Sequence, residues 1–210
     1  MNRIFDEGKP GRVIAFGAHP DDLEVGAGGL LARLANEGAE VTLTVISVPN
    51  RIQERLAEAE AGARKLGARL VVLYPERPCR VEDIPMHELV GRFDTLVADF
   101  RPDLVITHSH HDLHWDHGLV NRATVSSLRR TPCDLLAFLS SPEMNAQTRS
   151  FGQCFADVSG YIDTKVNAIS CHKSQLGKLD VESSRDLARA MGRISGFAYA
   201  EAYEVLRVRI

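Results

Sequence analysis

Cysteine is scarce in this chain and badly placed for cross-linking: Cys79, Cys133, Cys154 and Cys171 lie far apart, and no C-x-x-C occurs. That spacing argues against a disulfide framework or a zinc knuckle and suits reduced thiols in the cytosol. Long apolar runs are missing too; none approaches the roughly 18 residues a membrane span needs. Residues 1–12 lack the apolar stretch of a secretory signal, so a cytoplasmic protein is expected. Charge of one sign is also wanting. A formal net charge of −3 gives no electrostatic reason for nucleic acid or an anionic membrane as partner. Repeats and low-complexity segments are absent.

What remains is an ordinary globular composition, 44% hydrophobic over 210 residues, enough to bury a core without disulfides. That length fits one domain over 1–210, with a core at about 12–140 and a C-terminal elaboration at about 141–210. Apolar runs alternate with helical periods through the first two thirds. RVIAFG (Arg12 to Gly17), Val41 to Ile46, Leu70 to Leu73, Leu104 to Thr107 and Asp134 to Leu139 read as strands. Between them, Leu23 to Leu34, Ile52 to Leu66, Met86 to Phe100 and about Leu119 to Arg130 read as helices. Beyond Leu139 the pattern loosens: Ser140 to Gln153 reads as a polar wall or lid, Ala156 to Ser159 as a short strand, and two helices centre on Val166 and Met191. Tyr203 to Ile210 alternates like a terminal edge strand.

Such alternation implies right-handed βαβ units in an α/β, Rossmann-like three-layer αβα fold with a mostly parallel sheet. Ligands of open sheets of this kind bind outside the carboxyl ends of the strands. Two polar segments follow directly on strands and so belong to that edge. One is Ala18-His19-Pro20-Asp21-Asp22. The other runs from His108 to His117 and holds five of the eight histidines.

In the first segment, proline biases His19 towards an extended backbone, and Asp21 and Asp22 open a helix whose free N–H groups favour carboxylates. Capping alone needs one acid. The second asks for a cation or a proton-transfer role. In the second segment His114 and His117 share a face at a helix start, with Asp116 between them and Asp112 upstream. Imidazoles with one or two carboxylates make a ligand set for catalytic zinc, which leaves an open position for water. His108, His110 and His111 read singly as structural or orienting groups.

These residues resemble the LmbE-like, PIG-L-type zinc-dependent de-N-acetylases. Ala18 to Asp22 matches the family's A-H-P-D-D, followed by Glu24, Gly26, Gly28 and Gly29. His114-Trp115-Asp116-His117 matches H-x-D-H, with Trp115 where proline is frequent. Arg55, Glu58 and Leu66-Gly67 are similar to a family helix pattern. Asp157-Val158-Ser159, Lys165 and His172-Lys173-Ser174-Gln175 are similar to its later motifs. The resemblance, over about residues 12 to 176, implies that His19, Asp22 and His117 hold zinc, that Asp21 is the general base, that His114 stabilises or protonates the tetrahedral species, and that Asp116 orients His114. The implied reaction is removal of acetyl from an N-acetylglucosamine-type sugar by zinc-bound water, whose pKa falls from about 15.7 to roughly 7 in favourable sites. The same nitrogen and oxygen ligands accept iron(II) or cobalt(II). Relatives of this fold commonly form trimers or hexamers.

Arg55, near a helix start at the active edge, either contacts a substrate hydroxyl, phosphate or carboxylate or is a solvated arginine paired with Glu58. His172 reaches the pocket from its own chain or a neighbour's, or else serves in a cap or the core. Lys165 is expected to pair with Asp157 or Asp163. Three other functions compete. An amidohydrolase for a different N-acyl group uses the same residues. A Rossmann-type nucleotide site, suggested by Val25-Gly26-Ala27-Gly28-Gly29, has its glycines inside the helix instead of the turn that precedes it. A metal-binding protein without turnover has no need of the full acid and imidazole set.

Overall fold

The computed structural model describes residues 10–138, 152–177 and 179–209. The first part runs β1 (Arg12–Gly17), α1 (Asp22–Asn36), β2 (Glu40–Val45), α2 (Ile52–Leu66), β3 (Arg69–Val72), α3 (Met86–Phe100), β4 (Leu104–His108), α4 (Trp115–Ser127) and β5 (Asp134–Phe138). Then come β6 (Cys154–Asp157), α5 (Ile162–Ile169), α6 (Val181–Ser195) and β7 (Ala200–Arg207). The wall or lid expected over Ser140 to Gln153 falls, up to residue 151, outside the described residues.

The seven strands form one sheet in the order β3-β2-β1-β4-β5-β7-β6. Strands β1 to β5 run parallel, and β7 is antiparallel to β5 and β6. The period of two along β1 divides the core. Val13 and Ala15 pack with Leu23, Leu30 and Leu31 of α1 and Leu66 of α2. Ile14 and Phe16 face the other way, onto Leu89, Phe93 and Val97 of α3 and Val120 of α4. Each buried Val, Leu, Ile or Phe among them stabilises the fold by about 1.5–3 kcal/mol. The αβα layering read from the sequence is therefore present.

This layering also locates the site. Helices α1 and α2 cover one face and α3 and α4 the other, so the chain reverses its winding between β1 and β4, which are neighbours in register. A crevice opens at the carboxyl ends of the two strands where the helices diverge. Both polar segments leave the sheet there.

Three local expectations are corrected. Helix α4 starts at Trp115, four residues before Leu119, because His114 acts as its cap and accepts the Asp116 N–H on Nδ1 at 3.2 Å. The terminal strand is not an edge: β7 lies between β5 and β6. Its acids, Glu201 and Glu204, are buried and bonded. Glu201 accepts the N–H groups of Gly29 and Leu30 in mid-α1 at 2.8 Å each, the Tyr203 hydroxyl at 2.8 Å and the Lys165 ammonium. Lys165 thus pairs with Glu201, not with Asp157 or Asp163. Those two acids bond elsewhere, to Ser159 and to Arg185.

Breaking a buried ion pair leaves a charge without compensation. Glu201→Ala is expected to lower the unfolding free energy in urea by about 3–5 kcal/mol. A loss comparable to that of an exposed salt bridge would show that the pair is not holding α5 to β7.

Candidate active site

Asp22, the first residue of α1, is where the two segments meet. Its Oδ2 accepts the His19 N–H at 2.7 Å and lies 3.6 Å from His19 Nδ1 and 3.3 Å from His108 Nε2; its Oδ1 lies 3.4 Å from His117 Nε2. Each of the two outer imidazoles is held from behind by another acid. His117 Nδ1 bonds Asp112 Oδ2 at 2.8 Å, and His19 Nε2 bonds Asp116 Oδ2 at 3.0 Å. Such carboxylate partners fix the ring and leave the opposite nitrogen as a ligand. One ligand atom each from His19, Asp22 and His117 falls within 4.8 Å of the others. Two neutral imidazoles and a carboxylate suit a divalent cation. His108, Asp112 and His117 form a second such group, but Asp112 is already bonded to His117 and His108 is wholly buried. The first group is the one that opens to the crevice.

Burial alone would raise the Asp22 carboxyl, but His117 and His108 outweigh it and hold the group well below the usual carboxylate range. The same pairing acts on the partner: burial disfavours the charged His117 ring, yet Asp22 and Asp112 push its pKa up to about 10. His108 goes the other way, down to about 4, through burial and the charge of His117. It stacks on His117 at 3.8 Å and accepts the Ala18 N–H at 3.0 Å, an orienting role.

Asp21 behaves differently from its neighbour. It takes φ 102°, a region costly for any residue with a Cβ. Burial and the Asp22 charge raise its pKa to about 7, against the lowering pull of Arg55 and His172. Arg55 is buried at 5% exposure; its Nη2 donates to Pro20 O at 3.1 Å and lies 3.7 Å from Asp21 Oδ1. Arg55 is therefore neither solvated nor paired with Glu58, which instead accepts the Ser174 N–H and hydroxyl at 2.7 and 2.6 Å. His172 is fully buried, with Nε2 3.2 Å from Glu24 Oε1. Gly62 of α2 makes that pair fit, since a Cβ there would stand 2.4 Å from Glu24 Oε1. His172 comes from the same chain and sits beneath Asp21 instead of lining the crevice.

His114 is exposed at the mouth, its ring stacked on His117 at 4.5 Å. Because its Nδ1 accepts the Asp116 N–H, the neutral ring carries its proton on Nε2. Burial and the charges of His117 and His19 lower its pKa and favour that neutral form. The Asp116 carboxylate faces His19, so Asp116 orients His114 through its backbone and not its side chain. The sequence reading missed Glu204 of β7, which accepts the Ser109 hydroxyl at 2.7 Å, while Ser109 Oγ accepts the His111 N–H at 3.0 Å. No short motif marks a glutamate 95 residues from the loop it holds. The glycines of α1 are packing positions. A Cβ at Gly26 would stand 2.1 Å from the Phe138 ring, which removes the nucleotide-site alternative its basis.

A histidine-rich crevice with paired acids at this switch point is a setting for hydrolysis. The family model described as PIG-L: GlcNAc-PI de-N-acetylase matches residues 14–128, more than half of the 210-residue chain. The chain belongs to that family. An uncharacterized deacetylase of Escherichia coli K12, YaiS, is 27% identical over 173 residues, 77% of this chain and 90% of the relative. Among solved structures, GalB of Pseudomonas putida KT2440, a 4-carboxy-2-hydroxymuconate hydratase, superposes with a TM-score of 0.77 at 21% identity over 95% of this chain and 97% of that one. N,N'-diacetylchitobiose deacetylase of Pyrococcus horikoshii gives 0.77 at 19% identity over 94% and 84%. These two bear on the fold alone, and the fold carries a hydratase as well as a deacetylase. No described helix is long and apolar enough to cross a membrane.

The folded protein keeps a proton on Asp21 up to about pH 7, whereas the unfolded chain releases it near 3.8. The folded state therefore binds more protons in that window, and stability falls as pH rises through it. After chelation of metal, Asp21→Asn is expected to melt higher than the parent above about pH 7 and alike near pH 4. A difference that ignores pH would contradict the buried, proton-holding acid.

Proposed function

We propose that the chain is a metal-dependent amidohydrolase, acting in the cytoplasm as a single domain, that removes acetyl from an N-acetylglucosamine-type amino sugar or glycoconjugate. His19, Asp22 and His117 hold the metal, with zinc the expected ion and iron(II) or cobalt(II) compatible with the same donors. The observation that carries this reading is the contrast between adjacent aspartates: Asp22 is ionised and faced by three imidazoles, while Asp21 stands beside it with a pKa raised to about 7. The family description and the name of the P. horikoshii relative support the substrate class.

A divalent cation in this position acidifies water and polarises an acyl oxygen. The chain's own residues do the rest. Asp21 removes a proton from the water that attacks the acetamide carbon. As the C–N bond breaks, it returns that proton to the leaving nitrogen, so acetate and free amine depart. A pKa near the working pH suits both transfers. His114 donates its Nε2–H to the acyl oxygen as negative charge develops there; a neutral ring with Nδ1 occupied has only that donor to offer. Arg55 holds the Pro20-Asp21 turn in its strained conformation and keeps Asp21 aimed. This is a positioning role in place of the substrate contact expected from sequence. His172 with Glu24 sets the charge beneath Asp21.

Zinc-loaded protein is expected to release acetate from an N-acetylated amino sugar. Asp21→Ala should retain its metal while losing about 10²–10⁴ in kcat. Asp22→Ala and His117→Ala should lose the metal itself, as read by atomic emission on dialysed protein. Parental turnover in a metal-loaded Asp21→Ala protein removes the base assignment. A more graded effect is expected at Asp112→Asn, which should weaken zinc binding about 10–100-fold without removing a ligand, measured by chelator competition.

A further inference from the structure

Beside the crevice, on the outer face of α4, lies a depression of about 210 Å³ bounded by Leu113, His114, Trp115, Gly118, Leu119 and Arg122. Trp115, Gly118 and Arg122 stand at i, i+3 and i+7, so they share a helix face about 10 Å long. The rim is mixed: Trp115, 64% exposed, and Leu113, 55% exposed, supply its apolar part, and His110 and His114 a polar one. The floor is bare backbone. A Cβ on Gly118 would meet nothing within 4 Å, and its φ is not in the left-handed region. Glycine inside a helix costs about 1 kcal/mol relative to alanine, and here neither packing nor conformation requires it; what it supplies is room. At the far end Arg122 is exposed and makes no ion pair among the described residues. The one acid on the lining, Asp112, is already bonded to the His117 ring and the His114 N–H. His114 borders both the depression and the acid-rich crevice, its ring against those of His19 and His117.

We propose that this depression is a subsite, resting on the deacetylase reading above, for the unit attached to the amino sugar, and that it selects a ring bearing a carboxylate or a phosphate. One face of a pyranose is made of C–H bonds, and laying it on the exposed indole removes both apolar surfaces from water. Two turns along, the planar guanidinium of Arg122 offers paired N–H donors that match a carboxylate or phosphate. Gly118 leaves the space between them that the ring fills.

Trp115 is the only tryptophan in the chain, so intrinsic fluorescence reads this subsite directly. In zinc-loaded Asp21→Asn protein, three disaccharides are titrated, each an N-acetylated amino sugar linked to a second ring that is neutral, a uronate or phosphorylated. The anionic pair is expected to change the emission at concentrations about tenfold below the neutral one, and the tighter of the two identifies the anion. Arg122→Gln should erase that preference. Gly118→Leu should abolish the response with helicity retained. In turnover assays Trp115→Ala should raise KM about tenfold for disaccharides at unchanged kcat and leave the monosaccharide alone. An emission indifferent to every saccharide, or equal response to neutral and anionic rings, overturns the subsite. So does a fall in sedimentation coefficient for Trp115→Ala, which would make the patch a contact between copies of the chain. Acetate release without an emission response refutes the subsite alone. An emission response to the anionic rings without acetate release from any saccharide supports the subsite and refutes the deacetylase reading.

Discussion

Everything at this site is referred to one carboxylate. Asp22 meets a backbone N–H and three imidazole rings through two oxygens, and those groups come from segments about 90 residues apart that only the pairing of β1 with β4 brings together. In a buried setting an unpaired carboxylate is costly, and each imidazole placed beside it lowers that cost. The His117 and His19 rings are then held from behind by Asp112 and Asp116, so three acids and three imidazoles hold one another in place. Asp21 instead has the Arg55 guanidinium at 3.7 Å and the charge of His172, which burial and the Asp22 charge outweigh. That asymmetry separates a group that stays charged from one that takes up and releases a proton.

Much of this was legible in the sequence because the relevant signals are local. Strands β1 to β5 are apolar runs punctuated by helical periods, and their boundaries differ from the expected ones by one residue at most. The two polar segments could be placed at one edge from topology alone, since a strand followed by a helix must turn at the carboxyl end of that strand. What failed was whatever depends on a distant partner. An alternating strand with two glutamates has the same pattern whether it is solvated or interior, and only the bonds from Gly29, Leu30, Tyr203 and Lys165 make Glu201 an interior residue. Arg55 and Glu58 have the spacing of a surface pair, yet each faces inward to a different loop. Asp116 lies next to His114 in sequence but directs its carboxylate at His19, across the crevice.

The glycines of α1 carry a related lesson. Their clustering suggests a phosphate-binding turn, but they fall after the helix has begun, and their lack of a Cβ admits Phe138, Val158 and Glu201 close against the helix. The helix that presents Asp21 and Asp22 is thereby seated on β5 and β7. The crevice owes its rigidity to contacts made well below it.

The interior position of β7 has a consequence for synthesis. Among the described residues strand β6 pairs with β7 alone, and the histidine loop is tied through Ser109 to Glu204 of that same strand. A nascent chain emerging from the ribosome can pair β1 to β5 in order, but the seating of β6 and the anchor of that loop must wait until β7 has itself been made.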